Sequence, residues 1–429
     1  MTRPPRRAAL RLCAAALLLA AAAPAQAQSA AAYDQTGLPP LPAVERALSG
    51  YPPVKVARDV VRAEQANARR LEAGPYELSV RGGYQSHNIP DGRYPEWDLG
   101  VERGLRLPGK ARLDTALGAQ GVEFARRAAY SAWCDAARLL LRLWYGWMRE
   151  RQQLELWQKQ AGFLRQQQEV VAKRARVGDA PRIDVILAES ALAQAEAVVA
   201  GLRGREEGAR AALERTFAGI EAGAAAMPGE PRPLEHTLDW YIERVRAHND
   251  EVRVARAFSR RARLLAERAN ADQAPDPALG ARLSQDRSSA DRIAGVYFIV
   301  PIPGEARRAF AAVEAARADS ATSQEAAVLQ RVSAEVAMME GQARGAYAAW
   351  QRASAAAAGM QRHADLVTRS WQLKEASLSD VVIARRAAVE SALQATLAQL
   401  EAEESRRRLL VEAHILWNDP DEAAEPHGD

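Results

Sequence analysis

Tyr94-Pro95-Glu96-Trp97-Asp98-Leu99-Gly100-Val101-Glu102-Arg103-Gly104-Leu105-Arg106-Leu107 alternates, and its reading decides the fold. Trp97, Leu99, Val101, Leu105 and Leu107 are apolar, with Arg103 the exception. The residues between them are charged or small. A period of two places the apolar set on one face of a strand. Upstream, Tyr76, Leu78 and Val80 alternate with Glu77, Ser79 and Arg81. The spacing predicts two strands, 75–86 and 94–107. A loop over 85–93 joins them, because Asn88, Pro90, Asp91 and Gly92 are turn residues. Strands of about 9–11 residues with one apolar face suit an outer-membrane barrel, and equally a half-buried hairpin in water.

Helix follows directly. Pro108-Gly109 opens a stretch, 109–177, that is free of further proline and patterned in sevens. Leu140, Trp147, Leu154 and Ala161 stand seven apart, as do Leu143, Trp157, Leu164 and Val171 with Glu150 interrupting. Sustained heptads mean helices that supercoil against neighbours. One unbroken helix of this length is about 100 Å long. Trp133, Trp144, Trp147 and Trp157 read as packing between such helices. The run breaks at Val177-Gly178-Asp179-Ala180-Pro181-Arg182, where Gly178 suits a helix end and Pro181 a helix start. A second helix is expected over 182–218.

The same layout then recurs. Pro303-Gly304 repeats Pro108-Gly109 at an offset of 195, and Ser379-Asp380-Val381 repeats Ile183-Asp184-Val185 at 196. Strands are expected at 278–286 and 293–302, and helices at 304–373 and 378–416. Two further helices, 44–72 and 236–270, precede the strands of their halves. The chain therefore reads as a duplication, 28–221 and 236–429, joined by a linker over 222–235 that carries Pro228, Pro231 and Pro233. A period near 196 is too long for a solenoid.

Residues 1–27 read as a secretory signal peptide. Arg3, Arg6, Arg7 and Arg11 precede an apolar run over 12–23, and Ala25-Gln26-Ala27 fits the cleavage pattern. That run is too short to span a bilayer, which takes about 20 residues. No later segment has 18 consecutive apolar residues, so no membrane-spanning helix is expected. Cys13 is a poor lipidation site. Cleavage would leave Cys134 alone, which rules out an internal disulfide.

Composition excludes other classes. Net charge is +4 although arginine outnumbers lysine 53 to 5, so no concentrated basic face marks a nucleic-acid binder. No nucleophile motif, phosphate loop or metal-ligand spacing is present. His87, His236, His248, His363, His414 and His427 are scattered, and Met338-Met339 reads as core filler. The expectation is a non-enzyme with no catalytic residue, no cofactor and no resident metal.

Four strands cannot close a barrel, and an open edge in lipid leaves unpaired backbone groups. Closure would need strands pooled from several copies. Two, three or four copies supply eight, twelve or sixteen strands, within the range of known barrels. The residues thus give an α+β membrane protein, a duplicated β-hairpin plus long α-helical hairpin.

In these features the chain resembles the TolC family of outer-membrane channels over nearly the whole mature sequence. The resemblance rests on the signal peptide, the duplicated layout and the two Pro-Gly pairs. It rests also on the tip motifs Arg176-Val177-Gly178-Asp179 and Ser377-Leu378-Ser379-Asp380-Val381. Length and a compact N-terminus look most like the outer-membrane subunits of heavy-metal efflux systems. The family implies a homotrimer with a shared 12-stranded barrel on a periplasmic α-helical tunnel, in the outer membrane of a Gram-negative bacterium. It also implies a periplasmic adaptor and an inner-membrane pump of the resistance-nodulation-division type, or an ABC exporter.

Asp184 and Asp380 are candidates for a pore constriction, with helix capping as their ordinary role. Trp371 matches an aromatic the family carries shortly before its second tip. Ile383 stands where some members carry a second acidic residue, which leaves one ring at Asp380. The second tip has Lys374-Glu375 where a glycine is usual. Val177, Gly178 and Asp179, with Glu375, Ala376 and Ser377, are candidates for adaptor contact at the exposed tips. The rival readings are a type I protein-secretion duct of the same architecture and a periplasmic coiled-coil adaptor.

Overall fold

A computed structural model describes residues 36–90, 92–224, 226–286 and 291–420. The signal-peptide reading of 1–27 lies outside them. The order is α1 (Leu41–Gly50), α2 (Pro52–Ala73), β1 (Ser79–Ile89), β2 (Gly92–Gly104), α3 (Pro108–Arg176) and α4 (Arg182–Thr216). It continues with α5 (Leu238–His248), α6 (Asp250–Ala271), β3 (Ala278–Asp286), β4 (Asp291–Ile299), α7 (Glu305–Gln372) and α8 (Leu378–Glu412). A single 3-10 turn, Ala222–Ala224, lies in the segment between α4 and α5.

Several boundaries differ from expectation. The stretch 44–72 is two helices, because Tyr51 is extended ahead of Pro52 and Pro53. The stretch 236–270 breaks likewise at Asn249, whose side chain caps α6 by accepting the Val252 N–H at 3.1 Å. The expected loop 85–93 is mostly strand, since pairing runs unbroken from Ser79↔Glu102 to Ile89↔Gly92. Asn88 and Gly92 lie in the strand ends, Pro90 in the turn, and β1 starts at Ser79 rather than at 75. β2 ends at Gly104 and β4 at Ile299, short of the expected 107 and 302; α8 ends at Glu412, short of 416.

The sheet is antiparallel in the order β1-β2-β3-β4. β2 of the first half pairs with β3 of the second, so the duplication meets in the middle and the outer edges belong to β1 and β4. The register stacks Val80, Val101, Ala281 and Val296 in one row, and Gly82, Leu99, Leu283 and Ala294 in the next. These rows form an apolar face that the described residues leave bare: Leu99 is 46% exposed, Leu283 52% and Val296 82%. The opposite face carries Arg81, Asp98, Glu102 and Arg282. Its Glu96 is only 8% exposed. A hairpin in water covers its apolar side; here that side is the open one. Tyr297 lies over Gly280, where a Cβ would come within 2.3 Å of its ring, and donates to Glu102 Oε2 at 2.8 Å. Trp97 sits opposite Tyr84 on the apolar face, as an interfacial aromatic belt would. Tyr94 is on the polar face, because three residues along a strand reverse the side.

α3 and α4 form one antiparallel hairpin, α7 and α8 the other. α2 lies along α3 and α6 along α7. Gly118 lets α2 approach, since a Cβ there would meet the Ala68 Cα at 2.9 Å. The main core is midway along the rod. There Trp133, Leu140, Trp144, Tyr145, Trp147 and Met148 of α3 meet Val44 and Leu48, Phe217, Leu400 and Trp417. A second core joins Tyr241, Val245, Val332, Val336 and Leu409. Toward the tips the clusters are small and rich in alanine, which keeps the hairpin arms thin. Contrary to the expectation from apolar runs, α4 is long and apolar enough by composition to cross a membrane. Its alanine and valine content produces this, and it lies against α3 as a hairpin arm.

Candidate functional site: the paired hairpin tips

The two tips are the same structure built from different residues. At the first, Gly178 adopts φ +78, its N–H bonds Ala175 O at 3.1 Å, and Asp179 N–H bonds Arg174 O at 2.8 Å. At the second, Lys374 adopts φ +66, its N–H bonds Trp371 O at 3.0 Å, and Glu375 N–H bonds Ser370 O at 2.9 Å. Both are Schellman endings with a left-handed residue past the helix. Glycine takes that conformation without strain. Lysine pays about 1–2 kcal/mol for it. The missing glycine therefore does not remove the turn.

Lys374 also has a side chain, and it is used. Its Nζ is 3.0 Å from Asp179 Oδ1, tying one tip to the other. Asp179 Oδ2 accepts from Arg174 Nε at 3.1 Å, and the Arg174 guanidinium lies 5.5 Å from the Trp371 ring centre. Lys374 first, then Arg174, hold the Asp179 carboxyl below its ordinary range. The tie is thus complete above the ordinary carboxylate pKa and fails as pH falls through the lower folded value. At neutral pH it is tested by mutation. In Lys374→Ala, amide hydrogen exchange over 174–180 and 370–377 should rise; unchanged exchange would show that the pair holds nothing.

The predicted site residues fall into distinct positions. Asp380 is the closing member of a capping box: it accepts the Ser377 N–H at 3.1 Å while Ser377 Oγ accepts the Asp380 N–H at 3.1 Å. The Ser377 hydroxyl also donates to it at 2.7 Å, and these bonds lower its pKa. Asp184 occupies the equivalent place in α4, but the residue in the position of Ser377 is Pro181, which offers no side-chain cap. Its carboxylate is left free of a box. Trp371 is half-buried in a cluster with Val171, Val185, Ala188 and Leu378, where the hairpins touch. Val177 is 80% exposed, and Gly178, Asp179, Glu375 and Ser377 are exposed with it, Ala376 less so. Arg174 was not singled out from the sequence, and Lys374 stood out there only for replacing a glycine, not for linking the tips. An arginine one turn before a helix end carries no signal of its partner.

The chain thus places a bare apolar sheet face on two antiparallel helical hairpins, the longer arm of each about 100 Å long. No family model matches the sequence, and no curated protein matches it. Solved structures do. The Campylobacter jejuni CmeC outer membrane channel superposes with a TM-score of 0.73 at 12% identity, over 88% of this chain and 86% of that one. The outer membrane protein VceC from Vibrio cholerae gives 0.71 at 18%, over 87% and 95%. The open state of the Neisseria gonorrhoeae MtrE outer membrane channel gives 0.68 at 16%, over 88% and 89%. The chain has the fold of these channels, which is the TolC-type fold.

Proposed function

We propose that this protein is a passive outer-membrane duct of a tripartite efflux system. Three copies pool their strands into a 12-stranded barrel, and their helical hairpins form a tunnel through the periplasm. The observation that carries this reading is the sheet, apolar and uncovered on one face, with unpaired outer edges on β1 and β4. Such a sheet is costly in water and cannot close alone in lipid. Likeness to outer-membrane channels supports it. The exposed tip residues Val177, Gly178 and Asp179, with Glu375, Ala376 and Ser377, meet a periplasmic adaptor. The adaptor in turn links the duct to an inner-membrane pump of the resistance-nodulation-division type. Heavy-metal cations are the cargo the sequence resemblance favours. Asp184 and Asp380 of each copy, with Trp371 packed behind them, surround the periplasmic opening. Carboxylates ringed at a narrow aqueous gap favour cations.

The experiment is purification from outer membranes followed by bilayer recording. A detergent-requiring trimer that conducts is expected, with a cation preference that falls in Asp184→Asn/Asp380→Asn. A soluble monomer overturns the duct. A conducting trimer whose selectivity ignores both substitutions overturns the role of the carboxylates.

A further inference from the structure

Midway along the rod, three side chains of different chemistry converge from three distant parts of the chain. Cys134 lies on α3, Asp250 opens α6, and His414 follows α8. Each offers one ligand atom, all three atoms lie within 4.8 Å of one another, and all three residues are buried. A four-coordinate zinc, with bonds of about 2.0–2.3 Å, needs donors about 3.5 Å apart, so modest side-chain motion suffices.

The surroundings fit a metal better than a closed polar core. His414 is 6% exposed; its Nδ1 faces Tyr130 Oη at 2.5 Å, and its Nε2 is buried with no hydrogen-bond partner. An orphaned buried polar atom costs about 1–3 kcal/mol, so this ring has a nitrogen to spare for a ligand. Asp250 is fully buried. Its Oδ1 accepts from Arg138 Nη2 at 2.8 Å and its Oδ2 from Ser131 Oγ at 2.7 Å. Each oxygen keeps a second lone pair. Arg138 also grips Glu412, which fixes its direction, so it serves as the outer partner that orients a ligating carboxylate. Arg253, over the Tyr130 ring, brings a further positive charge. A thiolate at Cys134 offsets part of an incoming cation's charge. Ligation through the thiolate releases the thiol proton.

We propose that Cys134, Asp250 and His414 bind one divalent transition-metal cation of the zinc type, pinning α3, α6 and the segment after α8 together. Thiolate, imidazole and carboxylate are zinc ligands, and three protein ligands leave a fourth position for water. The site lies away from the tips, and its readout is binding rather than conduction, so it stands or falls apart from the duct.

The test uses the tagless full-length mature protein in detergent, stripped of metal and titrated with Zn2+ and with Co2+. One equivalent per chain is expected, with a thiolate-to-cobalt charge-transfer band in the near ultraviolet. Cys134→Ser should abolish that band and weaken uptake by at least about tenfold. His414→Asn should weaken it too, and asparagine tolerates the left-handed backbone that His414 adopts at φ +54, so the fold survives. No uptake by the wild type, or uptake without the band and indifferent to both substitutions, overturns the site.

Discussion

Leu283→Arg is expected to stop the protein assembling in the outer membrane, while its neighbour change Arg282→Leu leaves assembly intact. The two residues are adjacent on β3 and point to opposite faces. Leu283 belongs to the bare apolar row with Leu99 and Ala294. An arginine on a lipid-facing barrel position costs about 2–4 kcal/mol near the bilayer centre. Pooling three copies would repeat that penalty three times, enough to erase a marginal assembly. Arg282 lies instead on the polar face with Arg81, where water is available. The measurement is the heat-labile oligomer recovered from membrane fractions. If Leu283→Arg assembled like the wild type, the apolar face would not meet lipid.

The second large effect is placed where the sheet meets the helices. Lys110 is 2% exposed, and its Nζ lies 3.0 Å from both Asp272 Oδ1 and Asp276 Oδ1. Asp276 also accepts from Tyr76 Oη at 2.8 Å and from the Leu107 N–H at 3.1 Å. Arg268 binds Asp114 at 2.6 Å, and Arg106 joins the same carboxylate at 3.1 Å while capping the end of α2 through Leu71 O and Glu72 O. The network ties together both halves at the foot of the sheet. Removing one charge strands its buried partners, which costs about 3–5 kcal/mol for a fully buried pair. Asp272 retains Arg268, so Lys110→Met should lose about 3 kcal/mol, the lower end of that range.

Its pH dependence has a fixed sign. Burial tends to raise the pKa of Asp272 and Asp276, but their hydrogen bonds and the nearby cations outweigh it and lower both. Their contribution is therefore whole above the ordinary carboxylate pKa and is lost as pH falls through the depressed values. The gap between wild type and Lys110→Met should be widest at neutral pH and shrink below about pH 4. Thermal unfolding in detergent would read it, with Lys159→Met, an exposed position, as the control expected within about 0.5 kcal/mol. An equal loss at both lysines would deny the network its role.

What the sequence made legible follows from range. Alternation through Trp97, Leu99 and Val101 is a local pattern, and it correctly separated an apolar from a polar face. It could not say which was covered, and only the register and exposure of the folded sheet do. Heptads marked the long helices for the same reason. The recurrence of Asp184 at Asp380 let two weak tip motifs support each other, although Lys374 hid the left-handed turn that Gly178 announced. The breaks at Tyr51 and Asn249 were missed because a single extended residue barely disturbs a helical pattern. Asn88 and Gly92 misled in the other direction, since a hairpin end can keep pairing through turn-forming residues. Lys110 and Arg138 carried no signal in the sequence, and His414 was one of six scattered histidines. Their partners lie 112 to 284 residues away in some cases, as with Arg138 to Asp250 and Tyr130 to His414, and no local spacing records such a meeting.

Because the strands run in the order β1-β2-β3-β4, each copy presents two different edges, β1 and β4. An even number of alternating strands lets the last of one copy lie antiparallel to the first of the next, so a ring closes head to tail without a mismatch. Such a ring has no redundancy. In the proposed ring of three, a copy damaged on one edge still docks by the other and then blocks closure, so the yield of closed rings falls as the cube of the sound fraction, and the damaged allele would be dominant-negative.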